Sequence, residues 1–167
     1  MRCFLRLITV FTAMLLATGC HIDTGKTGEG LTGAWRSNIQ FTSGAYAAIK
    51  DTKFMYVFNA GGTVTESSNY DASPPVSPAY GVWRRTGTRQ YEVRYEFFAD
   101  KAPANFDEIA RGGGWSPDGH GLLTEKITLS ADGNSFDSTI KYELFDPQGK
   151  VIAGGGEATC KAVRIKF

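Results

Sequence analysis

Apolar and polar side chains alternate along most of the chain after Leu31, with a period of two residues. In the segment 35–41 the bulky apolar residues Trp35, Ile39 and Phe41 occupy odd positions, and the even positions are polar. This alternation is typical of a strand with one buried and one exposed face, whereas a helix repeats every 3.6 residues. Further segments of the same kind predict eight strands in all.

Short sequences rich in Asn, Asp and Gly separate these segments and favour tight hairpins. They include Asn59–Gly62 and Asp132-Gly133, whose residue types adopt the backbone angles of tight turns. Three glycines, at 154–156, predict a bend or bulge in the last strand. A long connection over 99–121, with a short helix at 105–111, is typical of a lid, a binding loop or a mobile segment. If the barrel binds a ligand, we expect this connection to form the mouth of the pocket.

Eight consecutive strands, each with one apolar face, predict an all-β fold. An eight-stranded antiparallel up-and-down barrel is the architecture we expect, because closure removes exposed sheet edges. A two-sheet sandwich is the main alternative. In the fourth strand one of Arg84 and Arg85 shares a face with Tyr80 and Val82; inside a barrel it would hold an anion. Exposure of both arginines at the strand end is the simpler alternative.

The inward faces of the predicted strands carry many aromatic side chains. An eight-stranded barrel is either filled by its side chains or left with one small cavity. Buried tyrosine hydroxyls need partners, which a ligand, water or the protein itself supplies. Packing alone and a ligand cavity therefore both stay open. The candidate ligand-lining residues are Phe54, Tyr56, Tyr91, Tyr95, Phe97, Phe136 and Tyr142.

The first and last strands carry a second feature. Gly33-Ala34-Trp35 opens the first strand and Arg164 lies in the last. This arrangement resembles the calycin superfamily, which includes the lipocalins. The resemblance implies that Trp35 closes one barrel end and that Arg164 packs over it by cation–π stacking. The lipocalin T-D-Y turn is missing and no helix follows the last strand, so the chain looks like a minimal calycin-type barrel.

Residues 1–19 have the features of an export signal. Arg2 and Arg6 precede a short apolar run that is too short to span a bilayer, and small residues lead to Cys20. The segment resembles a bacterial lipoprotein signal, which implies that Cys20 is acylated and anchors the protein to a membrane. His21 replaces the aspartate of an inner-membrane retention signal, so the resemblance favours an outer-membrane lipoprotein facing the periplasm.

Ordinary cleavage after Gly19 is the alternative, and it would leave Cys20 free to form a disulfide with Cys160. The mass of the mature protein distinguishes the two cases. The polar, glycine-rich residues 20–30 then form a flexible tether, and residues 31–167 form the barrel domain.

Composition excludes several classes of function. Removing Arg2 and Arg6 from the 18 basic side chains leaves 16 against 17 acidic ones, a net charge of −1. A nearly neutral domain argues against nucleic acid as a partner. His120, in a glycine-rich loop, has no partners at metal-ligand spacing, and Asp107 and Glu108 point apart on the predicted helix. We expect no cofactor, no metal and no catalytic constellation.

The sequence therefore predicts a lipid-anchored envelope barrel that binds a small apolar ligand. One alternative is a solid barrel whose outer face or loops bind a protein partner. The other is a cofactor-free isomerase or cyclase of the allene-oxide-cyclase kind, which requires an acid or base inside a cavity. The oligomeric state is not determined at this level.

Overall fold

The computed structural model describes residues 30–69, 77–111 and 114–167. In these ranges the chain forms eight strands and one short helix. Their bounds are β1 Gly33–Phe41, β2 Phe54–Phe58, β3 Thr63–Ser68, β4 Ala79–Gly87, β5 Gln90–Lys101, α1 Phe106–Ala110, β6 Ser116–Leu129, β7 Ser135–Phe145 and β8 Val151–Arg164.

The strands form a closed barrel in which each one pairs with the next along the chain. The β1 strand pairs antiparallel with β8, from Trp35 opposite Arg164 to Phe41 opposite Ala158. This pairing closes the sheet, so the predicted eight-stranded antiparallel up-and-down barrel is confirmed and the sandwich is excluded. Within the described ranges no helix has the length and apolarity to cross a bilayer.

The period-two pattern sets the inward face of most strands. Tyr91, Tyr95 and Tyr142 are 5%, 0% and 2% exposed, as the alternation predicts. The β4 strand differs, because Tyr80 and Val82 point outward and are 64% and 59% exposed.

Both β4 arginines are exposed, as the simpler alternative predicts, so neither of them is an inward anion handle. Arg84 forms an ion pair of 2.6 Å with Glu92 on the outer surface. The inward series of β4 includes Gly81, where an added Cβ would collide with the backbone of Arg94 and Tyr95 on β5.

One end of the barrel is closed by Trp35 and Arg164. The guanidinium carbon of Arg164 lies 4.2 Å from the centroid of the Trp35 ring. The same guanidinium donates to the carbonyl oxygens of Gly133, Thr32 and Gly30 at 2.9, 2.6 and 2.7 Å. This is the geometry that the calycin resemblance implies. It ties the chain segment before β1 to the turn between β6 and β7.

The connection between β5 and β6 is shorter than predicted. Both strands extend beyond the expected limits, with Lys101 paired to Ser116, so the predicted loop over 99–121 shrinks to 102–115. His120 lies in β6 rather than in a loop, and its ring stacks on Phe145 at 4.6 Å.

The predicted helix and bulge are both present. Asn105 caps α1 by accepting from the Glu108 amide, and the Glu108 carboxylate accepts from the Ala104 amide. These reciprocal bonds satisfy free amides at the helix start. The pairing of β7 with β8 shifts register between Tyr142 and Leu144, opposite the run of three glycines.

We expect Arg164→Lys to destabilise the protein by about 2 kcal/mol, since an ammonium group lacks the planar fork that reaches three carbonyl oxygens while stacking on the Trp35 ring. Urea unfolding monitored by circular dichroism measures this change. Arg94→Lys, on the exposed face of β5, is the control and should shift the free energy of unfolding by less than about 0.5 kcal/mol. Equal effects of the two substitutions would contradict the closing role of Arg164.

Candidate functional site

A small, partly open pocket lies at the barrel end opposite Trp35. Phe41 at the end of β1, Phe54 at the start of β2 and Ser68 at the end of β3 all line it. Its volume is about 50 Å³. A single water needs roughly 10–15 Å³ on this measure, so the pocket admits a few waters or one end of a small organic molecule.

Three of the candidate ligand-lining residues line this pocket, namely Phe54, Phe97 and Tyr142. The other four are buried in the barrel but do not line it. The remaining walls come from residues outside the candidate set, which are Phe41, Tyr46, Ile49, Thr52, Glu66, Ser68 and Leu123.

The closed half of the barrel is packed with rings rather than empty. Tyr56 stacks on Phe58 at 5.4 Å between ring centroids, and Trp35 contacts Phe136 at 5.0 Å. Tyr91 meets Trp83 edge to face at 5.8 Å. Tyr56, Tyr91, Tyr95 and Phe136 therefore do not line this pocket, because neighbouring side chains pack around them.

The connection between β1 and β2 contributes Tyr46 and Ile49 to the pocket wall. Among the described residues of 99–121, which exclude 112 and 113, none lines the pocket. The described part of the predicted mouth at 99–121 thus does not border this pocket, because β5 and β6 continue to pair past Phe97 as far as Lys101 opposite Ser116.

Tyr142 and two glycines fix the shape of this end. The Tyr142 hydroxyl donates to the Ser43 carbonyl at 3.1 Å and accepts from the Tyr46 amide at 3.3 Å. Gly44, at φ +83°, leaves no room for a Cβ beside that hydroxyl, and the Phe97 ring occupies the space above Gly121. The tyrosine therefore holds the β1–β2 connection over the pocket.

Glu125 lies fully buried in the middle of the barrel and has several partners. Its Oε1 accepts a short hydrogen bond from the Ser138 hydroxyl, and its Oε2 accepts from the Tyr95 hydroxyl at 3.3 Å. The Tyr56 and Tyr95 hydroxyls lie 3.4 Å apart. The protein itself thus satisfies this carboxyl, as buried polar groups generally require.

Glu66, on β3, lines the pocket and, unlike Glu125, has an oxygen that no protein group satisfies. The side chain is 6% exposed, and its Oε1 is buried with no hydrogen-bond partner. The Oγ1 of Thr52, which lines the same pocket, also lacks a partner. An unpaired buried polar group costs roughly 1–3 kcal/mol, so these two oxygens are sites where a bound molecule would gain hydrogen bonds.

Burial shifts the acid–base properties of both carboxyls. Desolvation and then the charge of Glu125 raise the pKa of Glu66 from 4.5 to about 8. Desolvation raises the pKa of Glu125 to about 7, although hydrogen bonds from Ser138 and Tyr95 lower it. Glu66 is therefore mainly protonated at neutral pH, and both groups can exchange a proton near physiological pH.

The two cysteine predictions have different outcomes. Cys160 is a buried free thiol, and burial together with the charge of Glu125 raises its pKa to about 12. It is a packing residue here rather than a nucleophile. The predicted lipidation site, Cys20, lies outside the described residues. Over the ranges that the structure describes, no three His, Cys, Asp or Glu residues cluster to hold a metal.

Neither buried carboxyl was among the candidate site residues. The signal that could have found them is the alternation itself, because Glu66 is in phase with Val64, and Glu125 with Leu123 and Ile127. A carboxyl on an otherwise apolar face is rare unless paired, and its phase places it inside a closed barrel.

Comparison with protein-family models and with curated protein sequences finds no match for this chain. The chemistry of the site therefore rests on its own residues. A small apolar pocket with one unpaired carboxyl oxygen and one unpaired hydroxyl can bind a polar end group, or exchange a proton with it.

We predict that the free energy of unfolding falls as the pH rises from about 5 to about 8. The unfolded chain releases these protons near pH 4.5, whereas folded Glu125 and Glu66 retain them until about pH 7 and 8. Stability is therefore greatest below about pH 5 as far as these two groups are concerned. Urea unfolding across this pH range measures the slope.

Glu66→Gln should reduce this slope and stabilise the protein above pH 8 by at least about 1.4 kcal/mol, the linkage value of one pKa unit. Glu96→Gln, at an exposed position of β5, should leave the slope unchanged. If the free energy of unfolding of Glu66→Gln depends on pH in the same way as that of the unsubstituted protein, a raised pKa at Glu66 is excluded.

Proposed function

We propose that this protein is a lipid-anchored, calycin-type binding protein whose barrel receives a small, largely apolar ligand at its open end. The observation that carries the proposal is the pocket itself. Its walls are mainly aromatic and aliphatic, with a few polar groups, among them Thr52 and Glu66. Ligand sites typically combine apolar walls with a few polar groups that orient the ligand.

The size of the pocket limits the ligand. A volume of about 50 Å³ accepts only a few carbon atoms, so one end of the molecule enters and the rest lies at the mouth. The ligand cannot extend further into the barrel, because the rings around Trp35 and Tyr56 fill the other half. Binding is therefore confined to the open end.

The sequence of residues 1–20 supports anchoring through Cys20, and the export signal supports a location in the bacterial envelope. The described barrel begins at Gly33, so only a short tether separates it from the anchor. Binding would then take place close to a membrane surface, where apolar molecules concentrate.

We expect at least one six-carbon compound among 1-hexanol, hexanoate and hexylamine to bind saturably, with a dissociation constant on the order of 1 mM or below. Each buried methylene contributes about 0.8 kcal/mol, so about three entering carbons give about 2.4 kcal/mol. Hydrogen bonds to the unpaired oxygens of Glu66 and Thr52 supply the rest of the roughly 4 kcal/mol that 1 mM requires. Isothermal titration calorimetry and thermal shift measure the binding.

Ser68→Leu should weaken this binding at least tenfold, since Ser68 lines the pocket and a larger side chain occupies it. Ser67→Leu is the matched control, because Ser67 is the adjacent residue on the exposed face of β3. Absence of saturable binding by all three compounds, or equal loss in the two variants, would overturn the proposal and favour the solid-barrel alternative.

Acid–base catalysis is a second candidate function for the same pocket. The observation that favours it is Glu66, whose Oε1 has no hydrogen-bond partner and whose pKa is raised to about 8. A general base with a pKa near the working pH is suited to removing a proton next to a carbonyl group, as a cofactor-free isomerase or cyclase requires.

If this second function holds, the protein should accelerate hydrogen–deuterium exchange at the carbon next to the carbonyl of butanone at pH 8, measured by NMR. Glu66→Gln should abolish the acceleration, and Glu96→Gln should preserve it. An exchange rate equal to that of the Glu66→Gln variant would leave binding as the only function of the site.

A further inference from the structure

Among the described residues, the barrel interior contains acidic side chains but no basic ones. Over the ranges that the structure describes, the buried polar and charged side chains are Ser37, Thr52, Glu66, Glu125 and Ser138, and none of them is basic. The ion pairs of the same ranges join residues on the outer surface. Two carboxyls thus lie inside the barrel without a described counter-charge.

Only one of the two carboxyls has its hydrogen bonds supplied by the protein. Glu125 accepts from Ser138 and Tyr95, whereas the Oε1 of Glu66 has no partner at the pocket wall. Tyr56 and Tyr95 interact with both carboxyls and Cys160 interacts with Glu125, and none of these three side chains carries positive charge. Glu66 is therefore the group that a positively charged ligand would reach first.

The walls next to Glu66 are rich in aromatic rings. Five rings line the pocket, from Phe41, Tyr46, Phe54, Phe97 and Tyr142. The face of an aromatic ring attracts a cation, and the attraction is stronger when the cation leaves water. A carboxyl oxygen without a partner, surrounded by aromatic rings, is well suited to bind an organic ammonium group.

We propose that the ligand end received by this pocket is a primary ammonium group carried on an apolar chain. The ammonium donates hydrogen bonds to Glu66 and to the hydroxyl of Thr52, and the aromatic rings contact its first methylenes. The proposal rests on the proposed binding function and names the chemical class of its ligand.

The alternatives fit the pocket less well. An inorganic divalent cation prefers six or more oxygen ligands, and no cluster of three acidic, His or Cys side chains exists in the described ranges. A carboxylate ligand would face Glu66 and Glu125, two groups that are themselves acids. A neutral alcohol would satisfy the unpaired oxygens but would gain nothing from their charge.

Binding of an ammonium ion should release a proton at pH 7. Glu66 is mainly protonated in the empty pocket because burial and Glu125 raise its pKa. A cation beside it stabilises the carboxylate, which lowers the pKa and drives the proton into solution. A neutral ligand has no such effect.

The experiment compares hexylamine, 1-hexanol and hexanoate by isothermal titration calorimetry at pH 7. We expect hexylamine to bind at least tenfold more tightly than 1-hexanol. Titrations in phosphate and in Tris, which differ in ionisation enthalpy, should show release of close to one proton for hexylamine and none for 1-hexanol.

Glu66→Gln should remove the preference for the amine and the proton release, while the affinity for 1-hexanol changes less than about twofold. Thr52→Val should weaken hexylamine binding two- to fivefold, because one hydrogen bond is lost. Glu96→Gln, on the outer surface, should leave the affinities for hexylamine and 1-hexanol unchanged. Thermal unfolding of each variant checks that the barrel is intact.

The outcomes separate the two proposals. Equal binding of hexylamine and 1-hexanol, or preference for hexanoate, would overturn the ammonium proposal and leave the binding function standing. Amine preference that survives in Glu66→Gln would overturn the role of Glu66. If none of the three compounds binds, the binding function fails and the ammonium proposal fails with it.

Discussion

The antiparallel pairing of β1 with β8 closes the sheet on itself, and this closure sets the volume that all inward side chains share. In an open sheet a large residue on one face can extend into solvent, but inside a closed barrel it must fit against the residues of every other strand. The rings of Trp35, Tyr56, Phe58 and Phe136 fill one half of that volume. The pocket at the other end is the space that they leave.

The two halves also differ in how the barrel is capped. At the closed end Arg164 lies over Trp35 and binds three backbone carbonyls. At the open end the cover is a chain segment, the β1–β2 connection, held through backbone contacts with the Tyr142 hydroxyl. The same connection is also bound to β8, because the Thr42 amide donates to the Glu157 carbonyl and the Ala45 amide donates to the Gly154 carbonyl, both at 2.8 Å.

Glu66 and Glu125 show how one residue type acquires two roles from position alone. Both are buried and both have raised pKa values. Glu125 is surrounded by hydroxyls that donate to it, so it joins β5, β6 and β7 through hydrogen bonds. Glu66 lies at the pocket wall with an unpaired oxygen, so its stabilising partner has to come from elsewhere. This difference is why the proposed ligand chemistry centres on Glu66.

The alternation of apolar and polar residues determined the strands, their number and the inward position of Tyr91, Tyr95 and Tyr142, because period two is a local property of an extended backbone. The same pattern gave a wrong prediction at β4, where the apolar residues Tyr80 and Val82 point outward. The inward position between them is Gly81, because the close approach of Tyr95 leaves no room for a side chain there. Strand length was also underestimated at β5 and β6, because pairing between them continues past the apolar pattern. Which inward rings pack, which line a pocket and which carboxyl stays unpaired was decided only by the tertiary structure. These properties depend on distances between strands far apart in sequence, and no local pattern contains them.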